Sequence, residues 1–471
     1  MLKIHKIPVG EPVSNDFKIT INGQPAEAYF ARVSAIPFNR VWPGYQRSID
    51  QTELASFVYF SMGENENVTV KITAAKNFSE VCIRPLSKNI TPVINGRDIE
   101  FNLSQIGQYS LELDGYHNNL HIFANPIFDF HDEVDINDPS VIYFGAGIHN
   151  PGVIELKSGQ TLFLDEGAVV FTAVFARDSK NVRIIGTGIL DNSWEERKTG
   201  NGCLKLFNCM NVEIKGVILR DSAVWTATIF NSDNVTFDNI KAIGMWRYNS
   251  DGIDFVNSAN GIVKNSFLRN FDDVIVLKGL KGFDTRNLEN ILVSNCVLWC
   301  DWGRDLEIGA ETCANEFRNI IFEDCDLIHG AHIRLDFQNG DRASIHDVLF
   351  DNIRIEYSKY ILKPIYQHTD DQVYDPGDEP FMPHLLFAHI YNGMWSKDYL
   401  YGENYNIKFK NIYVQLDEGL PIPPSSFTGV NEEHQTYNIT IDGLYINNVR
   451  VDNINDMNLE TNEFAHDIYL I

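Results

Sequence analysis

Basic side chains are scarce in this 471-residue chain, where 38 Lys and Arg stand against 64 Asp and Glu for a formal net charge of −26. A surface that grips a phosphate backbone needs clustered cations to displace counterions, so nucleic acid is excluded as a partner. Long apolar runs are missing too: no stretch of eighteen apolar residues occurs, and the opening MLKIHKIPVGEP lacks the apolar centre of a secretory leader. The expectation is a cytoplasmic protein with no membrane partner. The seven cysteines (Cys82, Cys203, Cys209, Cys296, Cys300, Cys313 and Cys325) are an odd number without a C-x-x-C, so free buried thiols are expected rather than a disulfide framework or a zinc site. G-x-G-x-x-G and Walker elements are absent, and no metal or cofactor is expected. With 44% hydrophobic and 22% charged residues the chain has the composition of a globular protein, either of two or three domains or of one long repetitive one.

What is present in abundance is one repeated phrase, an Asn or Asp followed by alternating apolar and polar residues, as in NVRIIGTGIL, NVEIKGVILR, NVTFDNIKAI and NILVSNCVLW. Its leading residues are Asn181, Asn211, Asn234, Asn260, Asn290, Asn319, Asp347, Asn406 and Asn438, and the first six steps are 30, 23, 26, 30, 29 and 28 residues. Units of short alternating strands at such a period bury their apolar sides only by stacking on one another, which predicts a right-handed parallel β-helix in an all-β fold. Leucine-rich repeats need an L-x-x-L-x-L phrase, and propeller blades a longer unit. Stacked turns enter the left-handed region, which Asn tolerates, so the heads of the phrases are expected there. Cys296 and Cys325 each follow their Asn by six residues and should stack inside adjacent coils.

The first 130 residues carry alternating strands (FKITING, FVYFSMG, VTVKITAAK, DIEFNL, YSLELDG) with no fixed period, which predicts an N-terminal antiparallel β-sandwich domain over 1–130 and the helix over 131–471. An interruption near 359–404 breaks the repeat. Such an insertion can wall a binding groove, or serve packing or a homo-oligomer contact.

The densest polar cluster in the coils is Asn249-Ser250-Asp251-Gly252-Ile253-Asp254, followed by Asn270-Phe271-Asp272-Asp273. Asp251 and Asp272 are 21 residues apart, about one coil, so they should lie on neighbouring rungs roughly 5 Å apart. Carboxyls so close cannot ionise alike, and one stays protonated as an acid while another remains a base. Glycosidic hydrolysis needs that division, although acidic pairs at strand ends also cap turns or bind calcium.

These residues resemble a known family. N-S-D-G-I-D, then D-D, then W-G-R-D-L-E-I-G, then H-I-R-L-D is similar in order and spacing to the N-[TS]-D-G-x-D, D-D, G-H-G-x-S-I-G and R-I-K motifs of the polygalacturonase family, glycoside hydrolase family 28. The resemblance covers about residues 150–450 and implies a pectin-lyase-like β-helix acting as an inverting glycosidase on a carbohydrate substrate. Carried over by position, it implies Asp272 as general acid, Asp251 and Asp273 activating water, Asn249 orienting a carboxylate, and Arg334 holding substrate. A weaker resemblance, to family 49 (dextranase and isopullulanase), rests on the N-terminal sandwich, three related aspartates and neutral glucan substrates.

The departures matter as well. Where the family has the His of G-H-G this chain has Arg304, and where it has the Lys of R-I-K this chain has Asp336, placing a negative charge where a uronate would sit. Arg304 either replaces the lost cation or pairs with Asp305, Glu307 or Asp336 around a neutral sugar. Asp251, Asp272, Arg304 and Arg334 should climb one line of about 14 Å, with Trp246 and Trp302 among nearby aromatics suited to sugar faces. A uronate lyase or epimerase and a non-catalytic carbohydrate-binding helix are the competing readings. The sequence leaves open the glycan and linkage, endo or exo action, oligomeric state and the role of the N-terminal domain.

Overall fold

Each repeated phrase supplies strands whose alternate residues must find an interior, and stacking provides one. The computed structural model describes residues 2–471 apart from 36–37, 41–48, 116, 198–199, 368–372, 374 and 379–380. An eleven-stranded sheet runs from Ile154–Leu156 to Leu459–Thr461 with every neighbouring pair parallel, and a 21-stranded sheet made of the remaining coil strands closes around it as a right-handed β-helix. One coil illustrates the rise: Val174–Arg177, Lys180–Gly186 and Ile189–Asp191 pair in parallel with Leu204–Phe207, Met210–Lys215 and Ile218–Arg220 of the next. The inward residues, among them Ile184, Ile214, Phe237, Ile291, Ile320 and Phe350, form one continuous core.

All nine phrase heads have positive φ, between 54° at Asn234 and 59° at Asn211 and Asn290. Their side chains form a ladder along the axis, with Nδ2 of Asn211 donating to Oδ1 of Asn181 at 3.0 Å, Asn290 to Asn260 at 3.0 Å and Asn319 to Asn290 at 3.1 Å. The turn residue is therefore selected twice, by backbone conformation and by a cross-coil bond. The seven cysteines are free thiols, and Cys296 and Cys325 sit together in the helix core.

The N-terminal strands form one ten-stranded sheet enclosing its own core, antiparallel except where Asn118–Asn125 lies parallel to Thr52–Ser61. Its central strands are apolar on both faces. Val58 and Phe60 enter the sheet's core, whereas Phe57, Tyr59 and Phe123 face the β-helix and pack on Val169, Ile218, Ile243, Phe267 and Trp299. The last strand of the sheet ends at Asn125 and the first coil strand is Val141–Phe144. A buried ionic seam also joins the two parts: Arg84 pairs with Glu112 at 2.9 Å and with Glu356, whose other oxygen accepts the Leu86 N–H at 2.6 Å.

The interruption near 359–404 is not wholly foreign to the helix. Its His384–Ile390 segment takes a place in the eleven-stranded sheet between Ile333–Asn339 and Ser425–Thr428 and leads into Glu403–Leu416, the strand with the Asn406 phrase, so the long step from Asp347 to Asn406 is one coil with residues inserted on either side of His384–Ile390. Part of the interruption, 368–372, 374 and 379–380, lies outside the described residues.

Candidate active site

Strand register in the eleven-stranded sheet fixes which residues meet. Ile253 pairs with Ile275, Ile275 with Leu306, and Leu306 with Leu335, so the turns just before these strands stack on one another. The ladder continues into those turns: Gly252 N–H donates to Asp273 O at 2.8 Å and Val274 N–H to Arg304 O at 2.8 Å. The column of neighbours is thus Asp251, Asp273 and Arg304, followed by Ile333. Phe271, Asp272 and Asp273 form a bend rather than regular strand, which lets adjacent aspartates open to one side.

Together these turns and the outward-facing strand residues line a cleft of about 360 Å³. Asp251, Asp272 and Asp273 all reach it, with Asn249, Arg304 and Trp302 from the sequence reading. The strand residues Lys278, Glu307 and Gln338 form part of its lining, alternating with the core residues Leu277, Ile308 and Phe337. Tyr391, Met394 and Trp395 of the interruption complete a wall.

The three aspartates have different surroundings. Asp272 Oδ2 accepts the Asn249 backbone N–H at 3.2 Å, and burial, with the charge of Asp273 next, pushes its carboxyl up to about 6. Asp273 Oδ1 accepts the Arg304 backbone N–H at 2.9 Å and faces that guanidinium at 3.4 Å. Burial works to raise the Asp273 carboxyl, but Arg304 and hydrogen bonding outweigh it and hold it below the usual carboxylate range. Asp251 is raised well above that range, first by burial and then by the neighbouring aspartates, against the pull of Lys278. Lys278 Nζ stands 3.1 Å from Asp251 Oδ2, 3.5 Å from Asp254 Oδ1 and 3.9 Å from Glu311 Oε2, and 4.2 Å from the Trp225 ring centre. Arg304 reaches across the column, its Nε 3.5 Å from Asp336 Oδ2. Burial drives Asp336 up to about 7, Glu307 well above its ordinary value, and His332, the one histidine among the described lining residues, down to about 3.

Two expected substrate contacts fall elsewhere. Arg334 pairs in register not with Arg304 but with Asp305, and successive strand residues project to opposite sides, so its guanidinium is fully buried. It binds Asp305 and donates to Glu356 O and Leu327 O, both at 2.9 Å, beside the Tyr357 ring. Trp246 is likewise outside the cleft lining; its indole N–H donates to Asp221 at 2.9 Å, and Arg247 lies over its ring. The expected straight line of Asp251, Asp272, Arg304 and Arg334 is accordingly replaced by the Asp251–Asp273–Arg304 column. Of the pairings open to Arg304, the structure has Asp336, together with Asp273, and gives Asp305 to Arg334.

Lys278 and Glu311 escaped the sequence reading, and His332 entered it only as a letter in H-I-R-L-D. The one available signal for Lys278 was a lone cation in the apolar strand Ile275–Gly279. Cys313, Asp341 and Asp398 come close enough to suggest a cation site. Their carboxylates, however, serve the local chain: Asp341 accepts the N–H groups of Thr312, Lys397 and Asp398, and Asp398 pairs with Arg342.

The model of the family described as glycosyl hydrolases family 28 matches residues 182–380, the stretch holding Asp251, Asp272, Asp273 and Arg304. The exopolygalacturonase of Cochliobolus carbonum is 28% identical over 153 residues, 30% of this chain and 32% of that protein. Exopolygalacturonase X-1 of Emericella nidulans is 28% identical over 153 residues, 30% of this chain and 33% of the relative. The chain thus spans about a third of the length of these relatives. In three dimensions it is similar to Dex49A from Penicillium minioluteum, with a TM-score of 0.58 at 14% identity over 100% of this chain and 96% of the other. The chain therefore has a β-helix with polygalacturonase-like, family 28 resemblance in its central coils and, over its whole length, a fold similar to that of Dex49A.

Proposed function

We propose that a chain with this polygalacturonase-like helix is an inverting glycoside hydrolase whose cleft cuts glycosidic bonds in a poly- or oligosaccharide. The observation that carries the reading is the convergence of Asp251, Asp272 and Asp273 on one cleft, with Asp272 on the Asn249 N–H and Asp273 facing Arg304, an arrangement in which burial raises Asp272 while Arg304 holds Asp273 low. Asp272 then protonates the leaving glycosidic oxygen, and ionised Asp273 takes a proton from the attacking water, which Asp251 helps to activate by orienting it through a hydrogen bond. Asn249 holds Asp272 through its backbone N–H, while Trp302 and Arg304 contact the sugar. Protons balance: the acid loses one, the base gains one, and water supplies the hydroxyl of the new reducing end.

The chemistry needs only side chains that the cleft already holds. Water is admitted on one side of the sugar and the leaving group departs on the other, so the configuration at the anomeric carbon inverts. The test is incubation with end-reduced oligosaccharides (galacturonan, rhamnogalacturonan, dextran, pullulan), following new reducing ends and the ultraviolet absorbance of an unsaturated product. Reducing ends without absorbance, abolished in Asp272→Asn, support hydrolysis. Absorbance means elimination and removes Asp272 from the acid's role, and binding without turnover makes the protein a carbohydrate-binding helix.

A further inference from the structure

The cleft is crowded with carboxyls. Asp251, Asp272, Asp273, Glu307 and Glu311 line it, whereas among the described lining residues only Lys278 and Arg304 are strong cations. Both already face internal carboxylates. Lys278 has Asp251, Asp254 and Glu311 within 3.9 Å, and Arg304, with its side chain 27% exposed, has Asp273 and Asp336 within 3.5 Å. At the rim Lys397 lies 3.8 Å from Glu311, and Arg197 donates to Tyr248 O at 3.0 Å and to Asn249. A uronate carboxylate brought here would lose water and gain no cation of its own, next to Asp273, which Arg304 keeps ionised, and to Asp251, Asp272 and Glu307, whose ionisation burial and mutual repulsion already oppose.

Hydroxyl groups, by contrast, meet what the cleft offers. Asp251 Oδ1 is a buried oxygen with no hydrogen-bond partner among the described residues, and a sugar hydroxyl can donate to it or accept from it when it is protonated. The groove also continues. A second hollow of about 600 Å³ shares Arg304 and His332 with the cleft and is otherwise lined largely by Phe381, Met382, Phe387, Pro421, Ile422 and Pro424. Its described lining adds no Lys or Arg, and burial lowers the proton affinity of His332 and His384. Apolar and aromatic surfaces suit the C–H faces of neutral pyranoses.

From this we infer that the saccharide bound across the cleavage point is a neutral, hydroxyl-rich pyranoside chain and not a uronate chain. The inference rests on the hydrolase reading, since it names the sugar on which that chemistry acts. It assigns the apolar hollow beyond Arg304 to the next sugar of the same chain.

Two measurements separate failure of the inference from failure of the hydrolase reading. The intact protein is assayed for new reducing ends on neutral gluco-, galacto- and rhamno-oligosaccharides and on galacturonan oligosaccharides of matched length; titration calorimetry follows binding of the same probes to Asp272→Asn. Release from a neutral chain, with galacturonan bound at least about tenfold more weakly, is the expected result. Hydrolysis or tight binding of galacturonan overturns the inference and leaves the hydrolase reading intact. Neutral binding without turnover keeps the sugar class and overturns the hydrolase reading, and binding of no neutral probe overturns the inference. Glu311→Gln supplies a second arm: freeing Lys278 from one carboxylate should strengthen galacturonan binding, and an unchanged or weaker affinity counts against the charge argument.

Discussion

Lys278 Nζ lies 3.1 Å from Asp251 Oδ2, and this ammonium faces three carboxyls at once, those of Asp251 and Glu311 in the cleft and that of buried Asp254. Removing it in Lys278→Met should destabilise the fold by about 3–5 kcal/mol, because buried charges lose their partner. The loss should depend on pH. A carboxyl whose folded pKa is raised, as at Asp254 (about 7), contributes stability below its unfolded pKa and loses it as pH rises through the folded value. The variant should therefore unfold in less urea at about pH 8 than at about pH 5, and equal midpoints would speak against Lys278 as the compensating charge.

The pH profile of kcat/KM should be bell-shaped. Activity falls on the alkaline side as Asp272, held at about 6, loses the proton it must donate, and on the acid side as Asp273 gains one. Arg304 lowers both groups, so Arg304→Gln should move both limbs toward higher pH. Limbs that stay in place would detach Arg304 from the acid–base pair.

Arg334→Met should act on stability alone. It strips buried Asp305 of its partner and leaves Leu327 O and Glu356 O without a donor, for a loss of about 3–5 kcal/mol by thermal or urea unfolding. Protein that remains folded should keep its KM. A raised KM at unchanged stability would restore the substrate role that the motif resemblance implies.

Turns in the solenoid should discriminate between small residues. Asn290 has φ 59° and bonds to Asn260 below it and Asn319 above. Asn290→Ala loses both bonds and also strains the left-handed backbone by roughly 1–2 kcal/mol, a penalty that Asn290→Gly avoids. The Ala variant should therefore melt at the lower temperature, and the reverse order would contradict a conformational role for the Asn heads.

The β-helix was legible in the chain because the requirement for positive φ leaves a mark in residue type, the recurring Asn at Asn181, Asn211, Asn234 and beyond. Asp251, Asp272 and Asp273 were legible because a polar N-S-D-G-I-D stands out in an apolar repeat. Strand register was not. Whether Arg334 or Ile333 stands beside Arg304 depends on a single-residue offset set by the coil's turns, and a motif match cannot resolve it. Lys278 was hidden for a related reason: a lone Lys at an outward strand position looks like any solvated side chain until the fold puts three carboxyls around it. His384–Ile390 was hidden because inserted residues separate it both from the Asp347 phrase before it and from its own Asn406 phrase.

The central claim, hydrolysis by an acid at Asp272 and a water-activating base at Asp273, is tested most directly by the configuration of the first product. Proton NMR would follow the anomeric signals during the first minutes of cleavage of whichever reduced oligosaccharide responds. The account predicts that the initial reducing end has the configuration opposite to that of the bond cut, and that Asp272→Asn slows its appearance by about 10²–10⁴-fold. A product of retained configuration would mean attack by a carboxylate on the sugar and would contradict the assignment.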